Sequence, residues 1–164
     1  MRILGIDPGL ATMGFGVIDS VNGKHTVVDY GVILTSKNEA FPNRLATIEK
    51  GVKELIAKFK PDEISLEELF FNNNVKTAID VAQARGVILL TCIKECGKLY
   101  EYTPLQIKQA LTGYGRAEKK QIQQMVATFL GLKTIPKPDD AADALAVALT
   151  HANTNRFSGQ FGIK

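Results

Sequence analysis

Cysteine and histidine are scarce in this chain, with two of each in 164 residues. Cys92 and Cys96 lie one helical turn apart, and no matching cysteine or histidine cluster accompanies them. That excludes a disulfide framework and a zinc motif. They read as buried or half-buried thiols of a reducing cytosol. His151 lies two turns beyond Asp143, too far to share a ligand site with it, and His25 has no partner in the sequence pattern. Long apolar runs are missing too. The longest, Val87 to Ile93, falls far below the roughly 20 residues that span a bilayer. The apolar stretch after Arg2 stops at Asp7-Pro8-Gly9, too early for a signal peptide. A cytoplasmic protein with no membrane attachment is expected.

Strong net charge is also lacking, at +3 with a pI near 8.8. Its distribution is more telling. From Lys94 to Lys137 eight cations face three acids, a basic stretch suited to a polyanion. The hydrophobic fraction of 45% and charged fraction of 23% are those of an ordinary globular chain. The length suits one domain with its own core. That domain is expected over residues 1–153, followed by a mobile tail at 154–164.

Alternation and turn chemistry predict strands over Ile3–Ile6, Met13–Ser20 and Thr26–Thr35, with Asn22-Gly23 as a hairpin turn. Helical spacing of Leu45, Ile48, Val52, Leu55, Ile56 and Phe59 predicts a helix over Asn43–Phe59. A strand over Glu63–Leu69 leads into the loop Phe70 to Asn74. Asn74 can cap a long helix running to Cys96, with Ile79, Ala82, Gly86, Leu89 and Ile93 on one face. A strand at Leu99–Tyr102 precedes a helix started by Thr103-Pro104 and stopped near Gly113. Helices over Glu118–Leu130 and Asp139–Asn153 complete the order. The two later strands enter through helices, so they should run parallel to the first. The expected fold is α/β: a five-stranded mixed sheet, three antiparallel strands plus two parallel ones, flanked by helices.

Four acids stand where acids are costly or conspicuous. Asp7 ends an apolar strand, although Asp-Pro-Gly is also a common turn. Glu67 sits in a β-rich run, where alternation lets one of Glu67 and Glu68 face solvent innocently. Asp140 and Asp143 lie in Asp140-Ala-Ala-Asp-Ala-Leu-Ala146. Acids in a first helical turn favour the helix dipole, and Asp139 reads as a cap. Asp143, however, sits among alanines and leucines, and three residues of separation puts it on one face with Asp140. If these elements meet, four carboxylates share a small volume and repel unless cations bind. Oxygen-only sites suit Mg²⁺ or Mn²⁺. Two such ions about 4 Å apart activate water and stabilise a leaving oxygen in phosphodiester hydrolysis. Asp7 is expected to bridge, Glu67 and Asp143 to ligate, and Asp140 to ligate or orient water.

The segments Ile3-Leu-Gly-Ile-Asp-Pro-Gly9, Leu66-Glu-Glu-Leu-Phe70, Ala82-Gln-Ala-Arg-Gly86 and Asp140-Ala-Ala-Asp-Ala-Leu-Ala146, in that order and spacing, resemble the RuvC-type Holliday junction resolvases over nearly the whole chain. The resemblance implies a ribonuclease-H-like fold and a homodimer that cuts four-way DNA junctions symmetrically with Mg²⁺ in recombination and repair. It implies Asp7, Glu67, Asp140 and Asp143 as the catalytic, metal-holding acids; some members carry histidine at the third position, where this chain keeps Asp140. It implies that Phe70 stacks on a base near the junction centre, and that Lys108 and Lys119 act in junction binding or catalysis. Asn74 and Arg116 are expected to add DNA contacts, although Asn72-Asn73-Asn74 departs from relatives that carry a lysine in this loop. The long helix with Ala82, Gln83, Gly86 and Leu89 resembles the family's dimer-forming helix. Partnership with a junction clamp and a ring helicase is implied in the same way.

Three other readings are distinguishable. An actin-like ATPase or sugar kinase would use an Asp-x-Gly hairpin such as Asp29-Tyr30-Gly31, yet that segment lies within a strand and the chain is short for two lobes. An RNA-processing nuclease of the same fold would prefer structured RNA. A non-catalytic junction-binding module would not need the full acid set.

Overall fold

Asn22 and Gly23 both take positive φ, 52° and 79°, the conformation a tight two-residue hairpin requires. They join β2 (Thr12–Val21) to β3 (Lys24–Leu34). The computed structural model describes residues 1–69, 75–154 and 163. Its remaining elements are β1 (Arg2–Asp7), α1 (Phe41–Phe59), β4 (Glu63–Glu67), α2 (Val75–Glu95), β5 (Leu99–Tyr102), α3 (Pro104–Thr112), α4 (Lys119–Phe129) and α5 (Asp139–Thr154). These match the elements expected from the sequence, with ends shifted by one or two residues. The expected cap Asn74 and the stacking residue Phe70 lie outside the described residues.

The strands form one sheet of order β3-β2-β1-β4-β5. The pairs β1–β2 and β2–β3 are antiparallel, while β1–β4 and β4–β5 are parallel. This is the mixed sheet expected, because β4 and β5 are each reached through a helix. Successive residues of β1 and β4 face opposite layers. Leu4, Ile6, Ile64 and Leu66 pack with Ile48, Val52, Ile56, Ile88 and Cys92 of α1 and α2. On the other face Ile3 and Ile18 pack with Ile107, Ile122, Val126, Leu145 and Leu149 of α3, α4 and α5. Ordinary alternation puts Ile18 on that second face, opposite Val17, and the register shift beside them leaves Val28 as the extra residue of β3.

Helix α3 is fixed at its start by a reciprocal pair. Gln106 N–H donates to Thr103 Oγ1 at 3.1 Å, and Thr103 N–H donates to Gln106 Oε1 at 2.8 Å. The buried side of α2 is Ala84, Ile88, Thr91 and Cys92. The apolar face expected along Ile79, Gly86 and Ile93 lies away from this core: Ile79, Leu90 and Ile93 are each about half exposed. A β-carbon built on Gly86 meets nothing within 4 Å. No helix among the described residues is long and apolar enough to cross a membrane.

Candidate active site

Parity along the strands decides which carboxylates meet. Asp7 shares the face of Ile3 and Gly5, and Glu67 shares that of Ser65, so both project from the sheet toward α5. β1 and β4 are parallel neighbours in register from Ile3–Glu63 to Ile6–Leu66. Their C-terminal ends therefore bring Asp7 and Glu67 side by side. Helix α5 crosses this face with Asp140 and Asp143 in its opening turns.

Glycine makes the crossing close. A β-carbon on Gly14 would stand 2.0 Å from the Asp140 carbonyl oxygen, and one on Gly5 would stand 2.1 Å from that of Ala144. On Gly16 it would meet the Leu145 side chain at 2.7 Å. Any larger residue at Gly5 or Gly14 lifts the helix backbone away from the sheet. Opposite these glycines α5 presents Ala141, Ala144 and Ala148, all essentially inaccessible. The glycine positions are thus site residues by placement, and sequence reading missed them. The available signal was Gly14 and Gly16 two apart in β2 and Gly5 in β1, with an alanine-rich helix later in the chain.

The other end of α5 is tied by a buried polar chain. His151 is fully buried and uses both ring nitrogens, Nε2 to Glu63 Oε2 at 2.7 Å and Nδ1 to the Tyr102 hydroxyl at 2.6 Å. A carboxylate only accepts, so Nε2 carries the proton and Nδ1 accepts from Tyr102. Burial draws the His151 pKa below its ordinary value, against the pull of Glu63. Thr154 Oγ1 extends the chain to the Tyr102 oxygen at 3.1 Å.

The electrostatics show that the acids share one field. Asp7 is pushed up to about 8, by burial first and then by Glu67, Asp143 and Asp140. Glu67 is pushed up to about 7 by burial and by Asp143. Asp143 is also raised, chiefly by burial, while Lys119 opposes the shift. Lys119 Nζ donates to Asp143 Oδ2 at 3.0 Å and stands 3.8 Å from Asp139. Asp139, expected as a cap, is the first residue of α5 and also pairs with Lys137 at 3.0 Å.

Glu67, Asp143, Lys108 and Lys119 line a cleft of about 230 Å³ floored by Pro104, Ile107, Ile122 and Ala146. Both expected lysines therefore stand beside the acids. Arg116 is exposed in the turn between α3 and α4. Asp29, the phosphate-cradling candidate, is held within β3 by Lys58 at 3.3 Å and by the Tyr30 N–H at 2.9 Å.

Asp7, Glu67, Asp140 and Asp143 offer only hard oxygen donors, and their mutual repulsion leaves them short of positive charge. That chemistry fits Mg²⁺ or Mn²⁺. Among the described residues no three such side chains are already drawn into a finished cage. Lys119 is the cation standing over Asp143.

A parallel-and-antiparallel five-stranded sheet crossed by an acid-bearing helix is a ribonuclease-H-like nuclease fold. A family model described as crossover junction endodeoxyribonuclease RuvC matches residues 3–151, and the chain belongs to that family. It is 54% identical over 157 residues to the crossover junction endodeoxyribonuclease RuvC of Clostridioides difficile, covering 96% of this chain and 93% of that one. It is 53% identical over 164 residues to the protein of the same name from Alkaliphilus oremlandii, covering 100% of both. Among solved structures, T. thermophilus RuvC in complex with a Holliday junction substrate superposes with a TM-score of 0.93 at 36% identity, covering 99% of each chain.

Proposed function

We propose that this chain is a structure-selective endodeoxyribonuclease that resolves four-way DNA junctions by paired, symmetric phosphodiester hydrolysis. The nuclease domain spans residues 1–153 and acts in the cytoplasm. The observation that carries the reading is the cluster Asp7, Glu67, Asp140 and Asp143. Its support is that Asp7 is raised by Glu67, Asp143 and Asp140, and that Glu67 and Asp143 line a cleft with Lys108 and Lys119.

Asp7, Glu67, Asp140 and Asp143 are the residues that would hold Mg²⁺, with Mn²⁺ as a substitute and two ions per site. When bound, such ions supply activated water and charge stabilisation for phosphodiester hydrolysis. The chain's own contribution is positional. Burial around Asp7 and Glu67 excludes bulk water and strengthens each charge interaction. Lys119 neutralises Asp143 at rest, and a DNA phosphate entering the cleft offers its ammonium a competing anion. Lys108, on the same wall, adds a second attraction for backbone phosphate. Arg116 contacts the backbone further out. Phe70 stacks on an unstacked base at the junction centre, and Asn74 contacts the same region; both lie outside the described residues.

The outward apolar stripe of α2, where Val75, Ile79, Leu90 and Ile93 are exposed around the open Gly86, supports a homodimer. A two-fold axis through that stripe would present two sites to opposing strands.

The test is a synthetic mobile four-way junction incubated with the protein, with and without Mg²⁺, beside linear duplex and structured RNA. Paired symmetric nicks in the junction alone, only with the divalent ion, are the expected result. Preferential RNA cleavage would replace this reading with an RNA-processing one, and binding without cleavage would leave a junction-binding module.

A further inference from the structure

Strand β4 and helix α5 each carry an acid of the cluster toward one end and half of a buried polar pair toward the other. Glu63 opens β4 and shares a strand face with Ser65 and Glu67. His151 Nε2 donates to Glu63 Oε2 at 2.7 Å. Among the described residues this is the one side-chain hydrogen bond between α5 and β4. The His151 ring is held on its other sides too. The Tyr102 hydroxyl donates to Nδ1 at 2.6 Å, and the Tyr100 ring stands 4.4 Å away, centre to centre. The second Glu63 oxygen accepts from the Tyr100 hydroxyl at 3.5 Å, with Lys98 Nζ at 4.0 Å.

The spacings of the two elements are commensurate. Asp143 and His151 are eight positions apart, which is about 12 Å along a helix. Glu63 and Glu67 are four positions apart, which is about 13 Å along a strand. The elements run in opposite directions, so seating His151 on Glu63 brings Asp143 level with Glu67. Those two acids do line one cleft.

Little else resists a slide of α5 along β4. The residues that cover Gly5 are Ala144 and Ala148. Ser65, between the two contacts, has a buried hydroxyl with no hydrogen-bond partner among the described residues. At the acid end carboxylate faces carboxylate, which repels. The attraction at the far end has to hold the register.

We infer that Glu63 and His151 are positioning residues of the proposed cutting site: their hydrogen bond sets where α5 stops along β4, and so the separation of Asp143 from Glu67. The inference rests on the acid cluster being that site, while the register itself is measurable without metal or DNA.

The experiment uses the full-length protein. Glu63→Leu/His151→Leu replaces both partners by apolar groups, which costs little stability because neither is left buried and unpaired. This variant is expected to melt within a few degrees of wild type. In metal-free crystals its α5 is expected to lie roughly 1 Å or more from the wild-type place along β4, a displacement that can cost positioned chemistry about a hundredfold. Junction cleavage should fall at least tenfold. The Mn²⁺ dissociation constant, read by electron paramagnetic resonance, should rise at least tenfold, while junction affinity stays within a few fold. Glu63→Gln keeps an acceptor for Nε2 without the charge, and should keep the wild-type register, Mn²⁺ affinity and cleavage. Should the double variant fold poorly, Glu63→Asp is read in its place. Its carboxylate is one methylene shorter, so the same bond draws α5 along the strand, with the same losses expected. An unmoved helix, a moved helix with wild-type cleavage and Mn²⁺ affinity, or a Glu63→Gln protein as impaired as the double variant would each overturn the inference. A wild-type protein that neither binds Mn²⁺ nor cuts would overturn the nuclease reading instead, and the crystals would still decide the register.

Discussion

Asp7 illustrates what one side chain loses and gains at the end of a buried strand. Its pKa rises from the ordinary 3.8 to about 8, so the folded chain holds a proton there that the unfolded chain has released. Across the window from about pH 4 to about pH 8 the folded state therefore binds more protons, and stability falls as pH rises. Without divalent ions, the melting temperature should drop between pH 6 and pH 8. Mg²⁺ should recover the loss, since an ion that binds only the folded state stabilises it. Asp7→Asn should flatten that pH slope and raise the metal-free melting temperature at pH 8 by a few degrees, each 1 kcal/mol moving it about 2–4 °C in a chain this long. Equal slopes in wild type and variant would detach Asp7 from the shared field. The same variant should lose junction cleavage by at least a hundredfold while retaining affinity within a few fold, measured by gel shift beside a cleavage time course. At this scale the sequence was legible where chemistry breaks a pattern: an acid after Ile6, an acid among alanines. It was silent where the signal is a missing side chain or a neutral ring. Gly14 looks like any strand glycine until a helix carbonyl is found 2.0 Å from its would-be β-carbon. His151 had no role until Glu63 and Tyr102 folded onto it.

Helix α5 places two of the four acids, and its position is fixed at both ends. The glycines of β1 and β2 set its height over the sheet near Asp140, and the His151 chain sets its direction near Thr154. Gly14→Ala should therefore cut cleavage by tenfold or more although residue 14 makes no contact with DNA or metal, because its β-carbon displaces the Asp140 backbone. Normal cleavage in a folded Gly14→Ala protein would show that the opening turn of α5 tolerates displacement. Periodicity predicted α1, whose single apolar face meets the sheet, whereas α5 is buried nearly all round between the sheet and helices α3 and α4 and shows its helix by length and composition instead. On α2 the apolar residues fall on two sides: Ala84, Ile88 and Cys92 meet the core with Leu89 packed against it, while Ile79, Leu90 and Ile93 stay exposed, and hydrophobicity alone cannot separate a face meeting this core from one left for another surface.

Among the described residues α2 carries an exposed apolar stripe, and symmetric cutting needs two sites facing one junction. Ile79→Glu should convert a dimer into a monomer at micromolar concentration in sedimentation equilibrium, with paired incision giving way to slow, unpaired nicking. A variant that remains dimeric would place the self-association surface elsewhere. Strand order and the parallel pairs were readable from connection lengths, because a helix between two strands leaves few other topologies.

The acids arrive on three pieces of chain, β1, β4 and α5, with more than 130 residues between the first and the last. None of these pieces carries the constellation by itself. A ribosome-bound chain that has emerged only as far as β5 has no Asp140 or Asp143 to contribute, and a misfolded one with α5 undocked leaves its carboxylates scattered. With the acids as the proposed cutting site, the capacity to damage a chromosome is withheld until α5 has been made and docked, a safeguard supplied by the order of the elements alone.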